Sequence, residues 1–433
     1  MAEKFDVIVI GAGPSGNTAA YLMAKAGMKV LQIERGESPG TKNVQGAIMY
    51  VDALEQVIPN CRKQAPVERA VIEQRMWLMD ERSHIGTHFR EAVDPDEEPT
   101  RYTVIRANLD KWFSKKVQEA GALLICETTV LDLIKEGDRV IGVRTDRANG
   151  DVLADVVVLA DGVNSMVATA AGLRSPVVAK DVALAVKEMH FLPKATIEER
   201  FNISGNNGVV IEMLGKITKG MVGTGFLYTN KDSISLGIGC MVADFREARG
   251  VTPYQLLEEL KAHPSVKPLI AGSEVKEYSA HLIPEGGYNA IPAVHGNGWV
   301  ICGDSGGFVN AVHREGSNLA MTTGRLAAET IIQLREENRQ YTAHHLKRYR
   351  KALEESFVMK DLKKYRDVPE ILHGNRQFLT TYPELMSRAA HTLFKVDGID
   401  KLTKEKQIKR DFVDKRSRFG LFGDAIKLMR ALR

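Results

Sequence analysis

The stretch that decides the fold runs from Phe5 to Gly16 and reads FDVIVIGAGPSG. An apolar run is followed at once by a glycine-rich turn, and small and apolar residues then recur at helical spacing up to Gly27. The residues from Met28 to Ile33 predict a second strand. A continuous apolar strand is typical of a parallel sheet that is covered on both faces. The chain therefore opens with a predicted strand–helix–strand unit.

The turn Gly11-Ala12-Gly13-Pro14-Ser15-Gly16 has the spacing of a dinucleotide-binding loop. Its first glycine permits a tight turn, its second lets the backbone approach a pyrophosphate, and its third allows close helix–sheet packing. Glu34 ends the next strand, where a carboxylate accepts hydrogen bonds from both hydroxyls of a ribose. In this context the motif predicts dinucleotide binding, with a purely structural glycine turn as the weaker alternative. The motif alone does not distinguish FAD from NAD.

Two later strand ends favour FAD. Ala160-Asp161-Gly162 and Gly303-Asp304 each follow an apolar strand, and Gly316-Ser317-Asn318 opens a helix. A carboxylate at a strand end can reach a chain of hydroxyls, while a helix N-terminus can face a polar ring edge. The ribityl chain and isoalloxazine ring of FAD need this second set of contacts, and NAD does not.

The rest of the chain predicts further segments. Three short strands are expected near 128–134, 139–145 and 152–154, followed by a separate apolar strand at 155–160. We predict an α/β fold with these parts: a first FAD-binding part at 1–180 (with 45–100 contributing partly to the substrate side), a mostly antiparallel β substrate domain at 181–291, a second FAD-binding part at 292–340, and a basic helical region at 341–433.

Composition excludes several classes of protein. The chain has 433 residues, of which 44% are hydrophobic and 26% charged, as in a globular protein. No apolar run approaches the length of a membrane-spanning helix, and the N-terminus has no signal-peptide pattern. The net charge is +4, but the segment from Lys395 to Arg433 alone carries +6. The body is therefore slightly acidic and has no basic signature for nucleic acid.

The cysteines are far apart and form no Cys-x-x-Cys pair. They are Cys61, Cys126, Cys240 and Cys302. This spacing predicts reduced, mostly buried thiols rather than a metal site or an iron–sulfur cluster. If the protein transfers electrons, an organic cofactor or a partner must carry them.

Together these motifs resemble the glutathione-reductase-type FAD-binding fold, in the aromatic-hydroxylase-like version with a three-stranded insertion before the Asp-Gly strand. The motifs are Gly11 to Gly16 with Glu34, Arg106 opening a helix, Asp161-Gly162 and Gly303-Asp304. More narrowly, four segments resemble the FixC subfamily of electron transfer flavoprotein–quinone oxidoreductases. They are residues 42–44, 159–165, 225–230 and 277–285.

The resemblance implies an FAD enzyme that takes electrons from an electron transfer flavoprotein and passes them to a quinone. Its partners would be the α and β subunits of that flavoprotein, in a complex that bifurcates NADH electrons between ferredoxin or flavodoxin and the quinone. Related chains with a fused iron–sulfur domain carry clustered cysteines, which this chain lacks. The cluster is therefore expected on a separate small ferredoxin-like subunit.

The resemblance also implies the FAD-binding residues. They are Gly11, Gly13, Pro14, Ser15, Gly16, Glu34, Arg35, Lys42, Asn43, Val44, Arg106, Val130, Ala160, Asp161, Gly162, Gly303, Asp304, Gly316, Ser317 and Asn318. One position departs from the flavin hydroxylases, since Ala168 stands where many of them carry an arginine that helps to dock NADPH. This departure weakens a hydroxylase interpretation and suits an enzyme that receives electrons from a protein.

Candidate proton-transfer residues precede the return to the FAD fold. Tyr278, His281 and Glu285 lie where the substrate should meet the flavin, and quinone reduction takes up two protons as well as two electrons. The alternative for His281 is a histidine that only hydrogen-bonds backbone in a buried strand. His313 and Arg314 lie in the loop expected to pass the flavin, where a cation would stabilise negative charge on the ring. A solvated loop explains them equally well.

The C-terminal segment from Phe412 to Arg433 mixes apolar and basic residues at helical spacing. Such a segment can lie on an anionic membrane, dock on an acidic partner subunit, or pack on its own domain. A quinone is dissolved in lipid, so peripheral membrane contact is expected, and an apolar patch in 181–291 is as plausible a place for it. We expect a cytoplasmic protein, peripheral on the inner face of the cell membrane.

Two alternatives stay open from the sequence. A geranylgeranyl-reductase-like enzyme would saturate prenyl double bonds and would also need a carrier and a greasy pocket. A non-catalytic FAD-bearing assembly subunit would bind flavin that its partners cannot reduce at a useful rate. Oxidation of a reduced flavoprotein only when quinone is added distinguishes the main interpretation from both.

Overall fold

The computed structural model describes residues 3–41, 46–91, 98–248 and 250–431. The chain divides into two compact units. The first comprises Met1–Glu68, Thr100–Val182 and Leu282–Lys363, and the second comprises Arg69–Pro99, Ala183–His281 and Lys364–Arg433. Each unit has its own core of buried apolar side chains, and the first has a core on each face of its sheet.

The strands of the described residues are β1 Lys4–Ile10, β2 Val30–Ile33, β3 Gly46–Tyr50, β4 Val67–Met79, β5 His84–Arg90, β6 Arg101–Ile105, β7 Leu123–Ile125, β8 Val130–Glu136, β9 Arg139–Thr145, β10 Asp151–Leu159, β11 Val182–Phe191, β12 Asn207–Gly215, β13 Gly223–Thr229, β14 Ser233–Met241, β15 Glu274–Pro284, β16 His295–Gly296 and β17 Trp299–Ile301. The α-helices are α1 Pro14–Lys25, α2 Val51–Glu55, α3 Arg106–Glu119, α4 Met166–Ala170, α5 Lys194–Phe201, α6 Val242–Glu247, α7 Pro253–Ala262, α8 Lys267–Ile270, α9 Ser317–Glu336, α10 Ala343–Glu355, α11 Phe357–Lys364, α12 Val368–Gly374, α13 Thr381–Phe394, α14 Lys401–Lys415 and α15 Arg418–Ala431.

The sheet of the first unit has the order β16-β17-β10-β1-β2-β7, and β17, β10, β1, β2 and β7 run parallel. Alternate residues of β1 enter different cores. Val7 and Val9 pack on the side of α1 and α9, whereas Ile8 and Ile10 pack on the other side with residues of β8 and β9. Because both faces are covered, the strand is apolar at nearly every position. The predicted strand–helix–strand unit and α/β fold class are confirmed.

The insertion before Asp161 differs from its prediction in one respect. The strands predicted at 152–154 and 155–160 form one strand, β10, in which residues 151–153 pair antiparallel with β9 and residues 153–159 pair parallel with β1. Ala154 and Asp155 follow each other directly within this strand, and the Asp155 carboxylate lies 2.7 Å from the Lys4 ammonium. A polar residue with a surface partner therefore interrupted the apolar pattern without ending the strand.

The sheet of the second unit has the order β15-β11-β14-β13-β12-β4, with β5 paired to β4. The pairs β11–β14, β14–β13 and β13–β12 are antiparallel, and β12 pairs with β4 in parallel. The sequence missed the long β4 because charged side chains interrupt it. The carboxylate of Glu73 is buried there and accepts hydrogen bonds from Arg75 (2.7 Å) and Arg90 (3.1 Å).

The C-terminal part of the described chain is helical, as predicted. Helices α10 and α11 pack in the first unit, whereas α12 to α15 belong to the second. The domain boundaries drawn from the sequence stay a prediction. Over the described residues, no helix combines the length and the apolar character needed to cross a bilayer.

Candidate functional site

The glycine loop after β1 is fixed by close backbone contacts. Gly11 has φ +100°, and a Cβ there would lie 2.3 Å from the carbonyl oxygen of Ala160. A Cβ on Gly16 would lie 2.1 Å from the carbonyl oxygen of Gly11. No real side chain tolerates these distances. The first glycine therefore makes the turn and the third brings α1 against the sheet, as predicted for this motif.

Two buried amides hold the loop from behind. The Gln32 Nε2 atom donates to the Gly11 carbonyl (3.1 Å) and to the Asn17 side chain (2.9 Å). The Asn17 Nδ2 atom in turn donates to the Ala12 carbonyl (3.0 Å). Buried backbone carbonyls need such partners. The sequence analysis missed both residues, although a glutamine inside an apolar strand was a signal that could have found Gln32.

Glu34 lies at the end of β2, beside the loop. Its Oε2 atom accepts a hydrogen bond from the Ala12 N–H (3.0 Å), and its Oε1 atom accepts from the Gly36 N–H (2.7 Å). Each oxygen still has a free lone pair for a hydroxyl donor. Backbone contacts thus orient the carboxylate next to the glycine loop.

The space in front of the loop is open. A Cβ on Gly13 would meet no atom within 4 Å, in contrast to its two neighbouring glycines of the motif. Helix α1 begins after Gly13 without a side-chain cap, and Pro14 takes its first position. The first N–H groups of an uncapped helix are donors for an anion. This arrangement fits the pyrophosphate of a dinucleotide.

Arg106 opens α3 and pairs with Asp110 one turn later. Two hydrogen bonds join them, at 3.1 Å and 2.9 Å, and Asp110 is buried. Burial disfavours the charge of the guanidinium, but Asp110 outweighs this effect, so the pKa of Arg106 is raised. The i, i+4 spacing on a predicted helix was the signal for this pair. Asp110 fixes Arg106, which contributes a positive field at Asp304.

The two strand-end carboxylates have different surroundings. Asp161 is satisfied by the protein, since it accepts from the Ser305 hydroxyl and from the Val167 N–H (3.1 Å). Asp304 makes no side-chain hydrogen bond to any residue within the described ranges. Burial raises the pKa of Asp304, and Arg106 opposes that rise. An acceptor of this kind fits a hydroxyl of the ribityl chain.

Asn318, at the start of α9, has half of its amide unused. Its Nδ2 atom donates to Glu315 (3.0 Å), whereas its Oδ1 atom is buried and accepts no hydrogen bond from the described residues. Beside it, the Ser317 hydroxyl donates to the Ile48 carbonyl (3.2 Å). A buried acceptor without a donor is costly unless a ligand supplies one. The open Gly13, the free Asp304 carboxylate and the Asn318 oxygen together fit FAD.

A cavity of about 220 Å³ opens next to Asp304 in the first unit. Most of its wall is apolar or glycine, and its charged residues are Arg174, Asp181 and Asp304. The remaining lining residues are Val163, Ser175, Pro176, Val177, Val178, Val182, Pro284, Gly286, Gly287, Ala290, Pro292 and Gly307. Arg174 also donates to the Ser305 carbonyl, and nothing in its sequence context pointed to it.

The predicted proton-transfer residues are divided between the two units. Tyr278 and His281 lie on β15 in the second unit, and the alternation of a strand places them on opposite faces. Glu285 and His313 belong to the first unit. Burial raises the pKa of Glu285 to about 7, and the nearby Arg314 opposes the rise. Arg314 has φ +54°, in a tight loop closed by paired hydrogen bonds between Asn310 and Glu315.

Other predicted residues are placed as follows. Val130, on β8, is buried in the core that β8 and β9 form with the parallel sheet, and Arg35 is exposed beside Glu34. Lys42, Asn43 and Val44 lie outside the described residues. All four cysteines are free thiols, and burial raises the pKa of Cys61 and of Cys302 to about 12. In the described part of the chain, no three His, Cys, Asp or Glu side chains are arranged to hold a metal.

Comparison with protein families gives two matches. Residues 4–211 match the FAD binding domain, and residues 368–433 match the ETF-QO/FixC family C-terminal domain. The first match contains the glycine loop, Glu34, Arg106 and Asp161. The cofactor of the chain is therefore FAD.

Among similar proteins, protein FixC of Azotobacter vinelandii is 60% identical over 433 residues, which are 100% of both chains. The probable electron transfer flavoprotein-quinone oxidoreductase YdiS of Escherichia coli (strain K12) is 40% identical over 399 residues, 92% of each chain. Among solved structures, a geranylgeranyl bacteriochlorophyll reductase-like protein from Thermoplasma acidophilum aligns with a TM-score of 0.73 at 20% identity, over 96% of this chain and 98% of that one. At that identity the likeness shows the fold alone.

Proposed function

The chain belongs to the FixC-like family of electron transfer flavoprotein–quinone oxidoreductases, and from this premise we propose that it is the quinone-reducing subunit of an electron-bifurcating complex. It is a flavin-dependent oxidoreductase of electron transfer. In the proposed complex it takes electrons from an electron transfer flavoprotein of α and β subunits. The observation that carries the proposal is the similarity to FixC proteins from end to end of the chain.

Different residues of the first unit would bind different parts of the cofactor. The start of α1 and the open face of Gly13 would bind the pyrophosphate, and Glu34 would bind the ribose hydroxyls. Asp304 and Asn318 would accept hydrogen bonds from the flavin half of the molecule. When bound, FAD supplies electron transfer in steps of one or two electrons. The chain's own task is to bind and orient it and to move protons.

The cavity beside Asp304 would admit the quinone ring. Its walls are mostly proline, valine and glycine, and its charged and polar residues are Arg174, Ser175, Asp181 and Asp304. This is the usual character of a site for a flat, apolar ligand. Converting a quinone to a quinol consumes two electrons and two protons, so a proton donor is needed nearby.

Glu285 is the best-suited proton donor of the four predicted residues. Its pKa of about 7 lets it hold or release a proton near neutral pH. It follows Pro284 and precedes Gly286, which both line the cavity. Arg314, next to His313 in the neighbouring loop, would supply positive charge. Tyr278 and His281, on β15, stay predicted proton-relay residues.

The finer statements about partners rest on the family. A ferredoxin-like iron–sulfur subunit would carry the cluster that the scattered cysteines of this chain do not form, and contact with the inner face of the cell membrane would give access to quinone. Prenyl reduction gains no support beyond the shared fold. A non-catalytic FAD-bearing assembly role would account for the FAD-binding residues but would leave the cavity beside Asp304 without a use.

Rapid mixing of the FAD-loaded protein with a reduced electron transfer flavoprotein tests the proposal. We expect oxidation of the flavoprotein in the presence of both this protein and a quinone, and only slow oxidation when either is left out. Rates that do not depend on quinone would refute the proposal. Bound FAD that the flavoprotein fails to reduce would instead identify an assembly subunit.

A further inference from the structure

The last helix, α15, presents an apolar stripe to solvent. Phe419, Phe422 and Met429 are 91%, 68% and 61% exposed. At about 100° per residue, these three side chains and Ile426 fall within about 80° of one another around the helix. Large apolar side chains usually gain free energy by burial, so a continuous exposed stripe indicates a surface that is covered in use.

Hydrogen bonds to the buried carboxylate of Asp424, which we call the clasp, fix the rotation of α15. Asp424 lies about 140° or more around the helix from the stripe and is buried. Its carboxylate accepts two hydrogen bonds from Arg416 (2.7 and 2.8 Å), one from the Tyr382 hydroxyl (2.8 Å) and one from Gln377 (3.0 Å). The Arg416 hydrogen bonds hold the pKa of Asp424 down at about 2. The clasp therefore keeps the stripe pointing outward.

A second exposed apolar group precedes α14. Phe394 and Val396 are 80% and 93% exposed. Their loop is held by an ion pair of 2.7 Å between Asp397 and the buried ammonium of Lys404, which also donates to the Lys395 carbonyl. Among the described residues, these two side chains and Phe419 and Phe422 are the four most exposed large apolar side chains. The contacts of Asp424 and of Lys404 thus hold both exposed apolar groups in place.

Helix α14, which lies between the two groups in the chain, also has a face of apolar and basic residues. Leu402, Lys406, Lys409 and Val413 fall within about 60° of one another around this helix. Lys409 and Val413 also line a groove with residues at the start of α15, the other lining residues being Phe412, Arg418 and Leu421. Of the acidic residues of α14, Glu405 borders this face, whereas Asp411 and Asp414 lie away from it.

The charges around the stripe are basic and unpaired within the described residues. No ion pair to a described residue is formed by Lys406, Lys409, Arg410, Arg418 or Arg430. The cores of protein interfaces are depleted in lysine. A helix with phenylalanines on one face and lysines and arginines beside them is instead typical of a segment that lies in the headgroup region of an anionic bilayer.

We infer that the face formed by residues 393–430 is a docking surface for an anionic lipid bilayer, with Phe394, Val396, Phe419 and Phe422 entering the acyl region. The lysines and arginines beside them contact lipid phosphates. The inference deepens the proposed function, because a lipid surface is where a quinone is dissolved. It assigns membrane contact to the C-terminal helices rather than to the sheet of the second unit.

The test is sedimentation of the full-length, FAD-loaded protein with vesicles. We expect binding to vesicles of phosphatidylcholine with one third phosphatidylglycerol, and much weaker binding to phosphatidylcholine alone. The double variant Phe419→Ser/Phe422→Ser should lose about tenfold or more in affinity. Lys406→Gln/Lys409→Gln should lose about tenfold and show a weaker dependence on salt.

Met76→Ser/Phe89→Ser is the matched control, since it removes two exposed apolar side chains from β4 and β5 of the same unit. It should bind vesicles like the wild type. Wild-type binding by Phe419→Ser/Phe422→Ser would overturn the inference. Failure of the wild-type protein to bind either vesicle, together with a complex between this face and an acidic iron–sulfur protein, would assign the face to a protein partner.

Vesicle binding is separate from electron transfer. A protein that binds anionic vesicles through this face but reduces no quinone would uphold the inference and refute the proposed function. Reduction of a water-soluble short-chain quinone by a protein that binds no vesicles would do the reverse.

Discussion

Helices α1 and α15 both depend on buried polar anchors, but they use them in opposite ways. Around α1, the amides of Gln32 and Asn17 hold a backbone turn inward, and the helix is buried along most of its length. On α15, Asp424 is anchored so that the apolar side chains point outward. Where a small ligand must be bound, the polar anchor shapes a closed site. Where a broad surface must be bound, it orients an exposed one.

The first expectation concerns the most tightly built part of the FAD unit. Replacing Arg106 with Leu leaves the buried Asp110 carboxylate unpaired, which should lower the free energy of unfolding by about 3–5 kcal/mol. Urea denaturation at pH 7 measures it. The double variant Arg106→Leu/Asp110→Leu should recover most of the loss.

The matched control for that buried ion pair is an ion pair on the surface. Lys351 and Glu355 form an i, i+4 pair with 75% and 67% exposed side chains. Lys351→Ala should change the free energy of unfolding by less than about 0.5 kcal/mol. Equal effects at Arg106 and Lys351 would contradict the tight interior assigned to the FAD site.

The glycine loop gives the next largest effect. Gly16→Ala places a methyl group 2.1 Å from a carbonyl oxygen, and such overpacking should cost about 1–3 kcal/mol. Gly13→Ala meets no protein atom, so the apoprotein should melt like the wild type while FAD binds more weakly. Melting of apoprotein and the ratio of FAD to protein measure the two effects. If Gly13→Ala bound FAD normally, the pyrophosphate would not lie against this glycine.

The clasp of α15 should give a local effect. Asp424→Ala removes four hydrogen bonds, so the amides of α15 should exchange about tenfold faster while those of β1 and α1 are unchanged. Because the pKa of Asp424 lies at about 2, below its usual 3.8, the clasp is intact at neutral pH. In the wild type its stabilising contribution should be complete above about pH 3.8 and be lost as pH falls from there through about 2. Faster exchange throughout the chain would show that the clasp supports more than α15.

The last expectation concerns pH. The pKa of Glu285 in the fold is about 7, above its usual 4.5, so its carboxylate destabilises the fold increasingly as pH rises from about 4.5 to 7. Glu285→Gln should therefore raise the melting temperature at pH 8 and leave it nearly unchanged at pH 4. If Glu285 donates protons, the variant should also lose the decline of quinone reduction above pH 7. The same decline in the variant would exclude that role.

Strong local patterns made much of this fold predictable. The apolar β1, the glycine spacing and the acidic strand ends gave the parallel sheet and the positions of Glu34, Asp161 and Asp304. The long strand β4 was not predicted, because its charges are neutralised by partners distant in sequence, such as Arg90 for Glu73. Arg174 and Ser305 escaped for the same reason, since only the folded chain brings them to Asp161. The basic amphipathic character of the tail was visible in the sequence. The direction in which its apolar face points was not, because the hydrogen bonds of Asp424 with Arg416 and Tyr382 determine it.

The most direct measurement compares two quinones as electron acceptors, one dissolved in vesicles containing phosphatidylglycerol and one short-chain and water-soluble. Reduced electron transfer flavoprotein supplies the electrons to the wild type and to Phe419→Ser/Phe422→Ser. We expect the variant to reduce the soluble quinone like the wild type and the vesicle quinone about tenfold more slowly. If the variant reduced each of the two quinones as fast as the wild type does, the separate roles of the FAD unit and the C-terminal helices would be contradicted. No reduction of either quinone by the wild type would contradict the proposed function itself.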